Sequence, residues 1–298
     1  MERYADVIQT CTETHQTLAR YFLEREVAMG ELDEATILDK MARQLHVMEQ
    51  AANEGLEGVQ SFSGLSGGDA PRLAHYRDND PPMGGSLYLD AMTLAIAVNE
   101  VNASMGLICA TPTAGSSGIV PAVLLAYAGR HEVDERQKID FLLTCGGVGL
   151  LIGNMASLSG AAGGCQAEVG SASAMTAAAL VELVGGTPAM SGHATAIALK
   201  NLLGLTCDPV ATLVEVPCIK RNAIGAVNAI SAAEMALAGM ESRIPVDEVI
   251  GAMGSIGRMM PVALRETAMG GLAQTPTAIA MTEMLQKDGH IDRAKLSD

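Results

Sequence analysis

The sequence has no tryptophan and few aromatic residues of any kind, which make up 3% of its 298 residues. The interior must therefore be built from Ala, Leu, Ile, Val and 18 Met, side chains that let helices approach closely and fill irregular gaps. Charged residues are also scarce, at 18%, whereas hydrophobic residues reach 49%. This composition excludes a disordered chain and is sufficient to bury a proper core.

Positive charge is the second shortage. Only 19 Lys and Arg oppose 34 Asp and Glu, which gives a formal net charge of -15. Binding to a nucleic-acid backbone needs clustered cations, so we expect no nucleic-acid partner. Small molecules or other proteins are the expected partners.

Long uninterrupted apolar runs are absent as well. Residues 101–129 and 141–167 carry no charge, but prolines and polar residues interrupt the first and a series of glycines interrupts the second. A membrane span needs about 20 predominantly apolar residues, so we expect no membrane segment. Residues 1–20 contain acidic side chains and no apolar core of a secretory signal, which indicates a cytoplasmic protein.

Helical periodicity dominates the chain, and alternating strand patterns are nearly absent. The sequence predicts an all-α fold, a compact bundle of mostly small-residue helices in which glycine-rich loops form the site. We expect one domain over 1–298, with charged N-terminal helices in 1–55 and an apolar body in 56–298. Asp33 is the expected N-cap of the second charged helix. Helices are predicted over 2–27, 33–53, 86–101, 118–128, 133–143, 167–184, 194–203, 222–238 and 246–260.

Glycine-rich loops are more abundant than simple connections require; they cover 61–69, 111–118, 160–164 and 185–192. TPTAGSSG at 111–118 leads into a helix, and backbone N–H groups with small hydroxyls there suit a carboxylate or phosphate. The alternative is an ordinary helix start capped by Ser116 or Ser117. SGLSGGDA at 63–70 is a second hydroxyl-bearing loop with one carboxylate, Asp69, or else a simple turn.

Several familiar functional motifs lack the neighbouring elements or the spacing that their function requires. GLSGG at 64–68 fits G-x-S-x-G, but a nucleophile elbow needs a strand before it and a helix directly after it, and neither is predicted. GGVGLLIG at 146–153 has Ile152 in the third glycine position of a dinucleotide fingerprint. No histidine pair has H-x-x-x-H spacing, so zinc-hydrolase chemistry has no support.

Six cysteines in a reducing compartment indicate thiols or metal ligands more often than disulfides. None forms C-x-x-C, so a zinc knuckle and the local ferredoxin spacing are both missing. The segment GLTCDPVATLVEVPC at 204–218 holds Cys207 and Cys218, each within two positions of a proline. By pattern alone both would be buried small hydrophobes.

Three longer runs carry a resemblance: TPTAGSSGIVPAVL at 111–124, GGCQAEVGSASAM at 163–175 and GLTCDPVATLVEVPCIKRNAIGAVNAI at 204–230. They closely resemble the α chain of the bacterial iron–sulfur L-serine dehydratases, and the similarity extends from about the GLSGGDA loop to Ala273. The resemblance implies a [4Fe–4S] cluster held by Cys165, Cys207 and Cys218. Three further cysteines lie outside its motifs: Cys11, Cys109 and Cys145.

The resemblance also implies the reaction. Three thiolates for four irons leave one iron open, and a Lewis acid there assists loss of the β-hydroxyl of L-serine while a base removes the α-proton, yielding pyruvate and ammonia. The residues do not identify that base. Glu168 is either a neighbour of the cluster or a helix N-terminal carboxylate. The substrate-binding candidates are Ser66, Gly67, Gly68, Asp69, Thr113, Ser116, Ser117, Arg221 and Asn222.

Single-chain members of this family carry an additional small domain with an S-S-H-T-x-G-P-M segment, which does not occur here. The resemblance therefore implies a separate β chain, and αβ units that assemble into a higher oligomer. Some relatives end in a cysteine, whereas this sequence ends DRAKLSD. We accordingly expect no regulation by a tail cysteine.

Three alternatives remain at this point. A pyridoxal-phosphate dehydratase would use the GSSG loop as a phosphate cradle and Lys200 or Lys220 as Schiff base. A related cysteine desulfidase would keep the cluster and expel sulfide instead of water. A non-catalytic subunit would use its loops only to contact a partner.

Overall fold

A computed structural model describes residues 3–289, so the C-terminal DRAKLSD segment lies outside the described residues. Residues 3–289 contain no β-strand, only isolated bridges between Gln60 and Gly67 and between Cys207 and Arg265. The all-α class is confirmed. The helices are α1 Tyr4–Thr14, α2 Leu18–Ala28, α3 Glu34–Glu57, α4 Asp69–Asn79, α5 Ser86–Ala103, α6 Ile119–Ala128, α7 Glu135–Met155, α8 Gly160–Gly163, α9 Ser171–Leu183, α10 Pro188–Leu202, α11 Cys218–Leu237, α12 Val246–Met259 and α13 Pro276–Lys287.

Helix α9 is the centre of the bundle. Every residue from Ser171 to Val181 is buried, and the helix contacts α6, α7, α10 and α11. Most of these residues are Ala or Ser, whose small side chains allow several helices to approach one axis. Helix α5 is surrounded in a similar way, by α3, α4, α6 and α11.

Helix α7 is longer than the prediction of 133–143, which ended it before its glycines. The missing side chain of Gly147 accommodates the Phe22 ring, whose nearest atoms would lie 2.1 Å from an added Cβ. Gly149 likewise leaves room for Met175, 2.9 Å from an added Cβ. The glycines serve close contact between helices, and tertiary contacts outweigh their low helix propensity. Local periodicity contains no sign of such contacts.

The predicted helix over 2–27 is two helices, α1 and α2. His15 has a left-handed backbone, with φ 55°, and ends α1. Thr17 then caps α2 by accepting a hydrogen bond from the Arg20 backbone N–H at 3.1 Å. Asp33 is confirmed as the N-cap of α3, since its carboxylate accepts from the Thr36 N–H at 2.7 Å.

Three other helix starts differ from the predictions. The loop expected over 185–192 is shorter, because Thr187 caps α10 and Pro188 opens it, a position that proline tolerates well. Helix α11 begins at Cys218, four residues before the predicted start, and α9 follows a π-helical turn, Gln166–Gly170. Helices α4, α8 and α13 were not predicted, and α8 lies inside the loop expected over 160–164.

Helix α7 is the one described helix that is long and apolar enough to cross a membrane. In its most apolar window 56% of the residues are buried inside the fold. The core helix of a soluble protein passes the same test of length and composition.

Candidate functional site

The three cysteines of the resemblance come from three separate parts of the chain. Cys165 lies between α8 and the π-helical turn, Cys207 lies in the loop after α10, and Cys218 opens α11. All three are buried and none is in a disulfide. Cys165 and Cys207 share a small buried cluster with Ile119 and Val169, and each thiol affects the pKa of the other. Cys218 lies close enough to Cys165 for a negative charge on Cys165 to raise the pKa of Cys218.

Contact between the thiols separates their pKa values. The hydrogen bond from Cys207 lowers the pKa of Cys165, and the nearby positive charge of Arg221 contributes to the same effect. The same contact, together with burial, raises the pKa of Cys207. Burial raises the pKa of Cys218 to about 12. The arrangement thus favours one thiolate at Cys165, and binding of a metal would have to displace the protons of the other two.

Backbone contacts clamp the loop that carries Cys207. The Cys207 N–H donates to the Leu264 carbonyl at 2.9 Å, and the Glu266 N–H donates to the Cys207 carbonyl at 2.7 Å. Between Cys207 and Cys218 the chain passes through Ala211 and Thr212, both left-handed, with φ 55° and 59°. Such conformations are costly for residues other than glycine, and they concentrate at functional sites.

A buried ion pair ties these segments together. The Arg221 guanidinium, in the first turn of α11, donates to Asp208 Oδ1 at 2.8 Å and to the Thr206 carbonyl at 2.8 Å. Asp208 Oδ2 also accepts from the Leu272 N–H at 2.7 Å. Arg221 therefore holds the Cys207 loop against α11 and places a positive charge beside Cys165. Sequence reasoning singled out Arg221 and missed Asp208, although Asp208 directly follows Cys207.

Glu168 is in contact with the cysteines and is not an exposed helix-terminal carboxylate. Its Oε1 accepts a hydrogen bond from Thr113 Oγ1 at 2.7 Å, and its Oε2 lies 3.7 Å from Cys207 Sγ. Burial is the main cause that raises the pKa of Glu168. A Cβ added at Gly160 would lie 2.5 Å from Oε2 and 3.1 Å from Cys207 Sγ, so a side chain at this position would have to displace one of these groups.

The 111–118 loop is fastened to α11 by Asn222. Its side-chain amide donates to the Gly115 carbonyl at 2.7 Å and to the Cys218 carbonyl at 2.9 Å, while its Oδ1 accepts from the Gly118 N–H at 3.0 Å. Ser116 and Ser117 are fully buried, and neither caps α6. Ser116 instead donates to the Thr111 carbonyl at 3.0 Å. The simple capping alternative is wrong for this loop.

The 61–69 loop is joined to the cysteine-bearing segment at two points. Ser66 Oγ donates to Glu215 Oε2 at 2.6 Å, and Asp69 forms an ion pair with Lys220 at 2.8 Å. Gly67 and Gly68 make the turn with φ of 136° and 74°, which favours glycine. Helix α4 does begin directly after GLSGG, contrary to prediction, yet a nucleophile elbow still lacks its strand within residues 3–289.

The residues left outside the motifs are placed elsewhere. Cys11 and Cys145 lie in the main core, where burial raises the pKa of both thiols. Lys200 donates to Ser242 Oγ at 2.9 Å. Lys220 is 74% exposed and paired with Asp69. Neither lysine occupies the desolvated position that activates an amine for Schiff-base chemistry.

The three cysteines supply the ligand type that an iron–sulfur cluster requires. In the described part of the chain no group of three or more His, Cys, Asp or Glu side chains is placed to hold one ion. A cubane instead presents separate irons to separate thiolates. Such a group needs buried thiols, a nearby positive charge and a wall without side chains. This site has three buried thiols that affect each other's pKa, a fixed cation and a glycine-lined wall.

Comparisons with known proteins agree with these features. The profile of the family "Serine dehydratase alpha chain" matches residues 5–273. The chain is 55% identical to the probable L-serine dehydratase alpha chain of Bacillus subtilis, with 91% of each chain covered. It is 43% identical to the L-serine dehydratase alpha chain of Peptoniphilus asaccharolyticus, covering 95% of this chain and 98% of the relative.

A longer relative is informative about chain organisation. The L-serine dehydratase of Streptomyces coelicolor is 39% identical over 90% of this chain, but only 59% of the relative is covered. The alpha chains named above are instead covered almost end to end. The match to the family profile spans the cysteines, the loops and α4 to α12. This chain belongs to the serine dehydratase alpha chain family.

Proposed function

We propose that this chain is the alpha subunit of an enzyme that deaminates L-serine to pyruvate and ammonia with a [4Fe–4S] cluster held by Cys165, Cys207 and Cys218. Three buried thiols between positions 165 and 218 support the proposal: Cys165 and Cys207 share one small cluster, and Cys218 lies near enough to Cys165 for a charge there to raise its pKa. The donor chemistry supports this assignment, and so does membership of the family.

When bound, the cluster would supply an iron without a protein side chain, a Lewis acid for the β-hydroxyl of L-serine. The chain's own residues have separable tasks around it. The thiols would hold the group, while the glycine at position 160 keeps the wall beside Cys207 free of side chains. Arg221 offsets negative charge near Cys165 and is itself held by Asp208.

We assign the substrate carboxylate to backbone N–H groups of the 111–118 loop, which the Thr113 hydroxyl joins to Glu168. Ser116 and Ser117 would shape that loop from inside, and Asn222 would hold it against α11. The loop with Ser66, Gly67, Gly68 and Asp69 would close the opposite side, since Ser66 reaches the cysteine-bearing segment through Glu215. Positioned groups on both sides would leave only one face of the α-carbon open to a base.

A β chain completes the proposed enzyme. The name "alpha chain" on the matched relatives implies a separate partner, and the length of the Streptomyces coelicolor protein supports the same reading. We propose that the β chain closes the site and contributes the proton acceptor, that αβ units assemble further, and that the enzyme is cytoplasmic.

Metal analysis after anaerobic purification tests the proposal. We expect about four irons and four sulfides per alpha chain in the αβ complex. Cys207→Ser should lose the cluster and turnover, whereas Cys145→Ser, a buried thiol of the main core, should keep both. A wild-type complex with a bound aldehyde cofactor and no iron would reject the proposal, as would full turnover in Cys207→Ser. Faster turnover of L-cysteine than of L-serine would favour a desulfidase.

A further inference from the structure

Helix α4 starts directly after the 61–69 loop, and its first N–H groups are bound by a residue of another helix. The N-cap position is Gly68, which has no side chain to accept the N–H groups that the start of a helix leaves unpaired. The carboxylate of Glu100 on α5 supplies the acceptor: it binds the Asp69 N–H at 2.8 Å and the Ala70 N–H at 3.3 Å. Glu100 is fully buried, so water does not compete for these contacts.

The other contacts of α4 are weak by comparison. Of the residues of α4, all of which lie in the described part of the chain, Ala70 alone is buried. Asp69 also forms ion pairs with Lys220 and Arg72, but both cations are mostly exposed, and exposed pairs contribute little. Glu100 is therefore the main constraint on the position of the first turn of α4.

The loop before α4 is closed by its own hydrogen bonds and joined to α5 at both ends. The Ser61 N–H donates to the Ser66 carbonyl at 3.0 Å, and the Ser66 N–H donates to Ser61 Oγ at 3.2 Å. Near the start of the loop, the Phe62 N–H donates to the Ala103 carbonyl, at the end of α5, at 3.2 Å. Glu100 provides the second attachment, so a shift of the first turn of α4 would move the loop.

The other candidate substrate loop, 111–118, lies against the same helix. Asn99 of α5 is fully buried, and its Nδ2 donates to the Ala114 carbonyl at 3.4 Å. A Cβ added at Gly118 would collide with the Ala95 carbonyl oxygen, so the backbone at the end of this loop lies directly on α5. Consecutive residues of one helix thus contact the two segments, and the separation of the two loops depends on α5.

We propose that Glu100 is a positioning residue for L-serine: by fixing the start of α4, it holds the 61–69 loop at the distance from the 111–118 loop that the substrate requires. This inference rests on the proposed function, in which the two loops close the site from opposite sides. Glu100 acts through the loop, since its hydrogen bonds go to backbone N–H groups of α4. Its loss should therefore weaken substrate binding and leave the cluster in place.

Glu100→Gln tests this in the αβ enzyme loaded with its cluster. A glutamine of the same shape accepts from one N–H group of α4 and turns its amide NH2 toward the other, so the first turn must shift. Substrate binding must then also restore the loop. We expect KM for L-serine to rise about 10-fold, the equivalent of one buried N–H group left without an acceptor, with kcat and iron content within about 2-fold of the wild type. Hydrogen exchange of the backbone amides of 61–70 should become faster.

Glu182→Gln is the matched control. Glu182 of α9 likewise accepts from two N–H groups at the start of a helix, those of Leu18 and Ala19 in α2, and neither candidate substrate loop takes part in that contact. This variant should keep KM for L-serine within about 2-fold of the wild type and leave the exchange of amides 61–70 unchanged. An unchanged KM in Glu100→Gln overturns the inference. An equal rise of KM in the two variants also overturns it, because it would indicate a general loss of stability.

A second variant decides if Glu100→Gln loses its iron. Glu100→Asp keeps a carboxylate and shortens the side chain by one methylene, so KM must rise by at least about 3-fold with iron retained. An unchanged KM, or loss of iron in both variants, overturns the inference. If the cluster-loaded wild type does not turn over L-serine, the proposed function fails instead. An active wild type with an unchanged KM in the Glu100 variants rejects this inference alone.

Discussion

At the scale of single residues, the pair of Asp208 and Arg221 supports the site most directly. Asp208 is 5% exposed at its side chain and Arg221 is 17% exposed, so removing one partner leaves a largely buried charge. Asp208→Asn should lower the free energy of unfolding by about 3 kcal/mol, as broken buried pairs do. Urea denaturation followed by circular dichroism measures this.

The exposed pair of Asp39 and Arg43 provides the control for that prediction. Both side chains are more than half exposed, so Asp39→Asn should cost less than about 1 kcal/mol. Equal losses in the two variants would mean that Arg221 finds other compensation when Asp208 is neutralised.

Gly160 is the second residue with a sharp expectation. An alanine Cβ would lie 2.5 Å from Glu168 Oε2 and 3.1 Å from Cys207 Sγ, so Gly160→Ala must move one of them. We expect at least about a 10-fold loss of kcat/KM with L-serine or a loss of bound iron, because misplaced groups at a reacting centre are costly. Steady-state kinetics and iron analysis of the αβ enzyme decide it.

Gly146→Ala is the matched glycine substitution. No atom lies within 4 Å of an added Cβ at this position inside α7. The change should therefore raise the free energy of unfolding by about 0.5–1 kcal/mol and leave kinetics and iron unchanged. If Gly160→Ala kept its kinetics and iron as Gly146→Ala should, the close approach of the backbone at Gly160 to Cys207 would not matter for catalysis or cluster binding.

At this scale, the sequence identified the candidate cluster ligands only through its resemblance to a known family. Spacing alone describes Cys207 and Cys218 as buried hydrophobes. Asp208 and Glu215 were not predicted at all, since their partners, Arg221 and Ser66, are distant in sequence. Such roles depend on tertiary contacts, which residue type and local spacing do not encode.

At the scale of helices, half-buried carboxylates fix how the N-terminal elements meet the core. Glu182 of α9 accepts from the N–H groups of Leu18 and Ala19 at the start of α2, and from Thr144 of α7. Asp247 of α12 accepts from the N–H groups at the start of α1. The sequence predicted amphipathic helices here, but the contacts of Glu182 with α2 and of Asp247 with α1 join segments more than 160 positions apart.

Glu182 should leave a signature in the pH dependence of stability. Burial raises its pKa above 4.5, so the folded chain binds this proton more tightly than the unfolded chain. Its stabilising contribution is therefore complete below pH 4.5 and is lost as the pH rises through the raised pKa. The stability advantage of the wild type over Glu182→Gln should shrink from pH 4.5 toward neutrality. Urea midpoints across that range measure it, and an advantage that grows with pH contradicts the assignment.

The glycines of α7 show why helix boundaries were harder to predict than helix existence. In sequence, Gly147 and Gly149 indicate a break, because glycine weakens an isolated helix by about 1 kcal/mol. In the fold, Phe22 and Met175 fill the space that a side chain would occupy. The burial gained against neighbouring helices exceeds the local cost.

At the scale of the whole molecule, the N-terminal helices share the main core with the cysteine-bearing body. Tyr4 and Leu18 belong to the same buried cluster as Leu151 and Ile230. The boundary near residue 55 is thus a change in surface charge, since α3 contacts α5, α6 and α7. A single domain over 1–298 stays a prediction, and cooperative unfolding is its test.

Tyr4→Ala tests that cooperativity. Tyr4 is fully buried, and its hydroxyl accepts from Thr195 of α10 at 3.3 Å. Removing a buried ring should cost about 3–5 kcal/mol. If 1–55 and the body form one unit, calorimetry should show one transition that moves as a whole, with circular dichroism of the helices and release of iron following the same curve.

Tyr76→Ala, on the partly exposed α4, is the control and should cost less than about 1 kcal/mol. The contradicting result is an early transition in Tyr4→Ala that unfolds helix while the iron stays bound. It would show that the N-terminal helices form a separate unit, because only an independently stable body retains its cluster when α1 detaches.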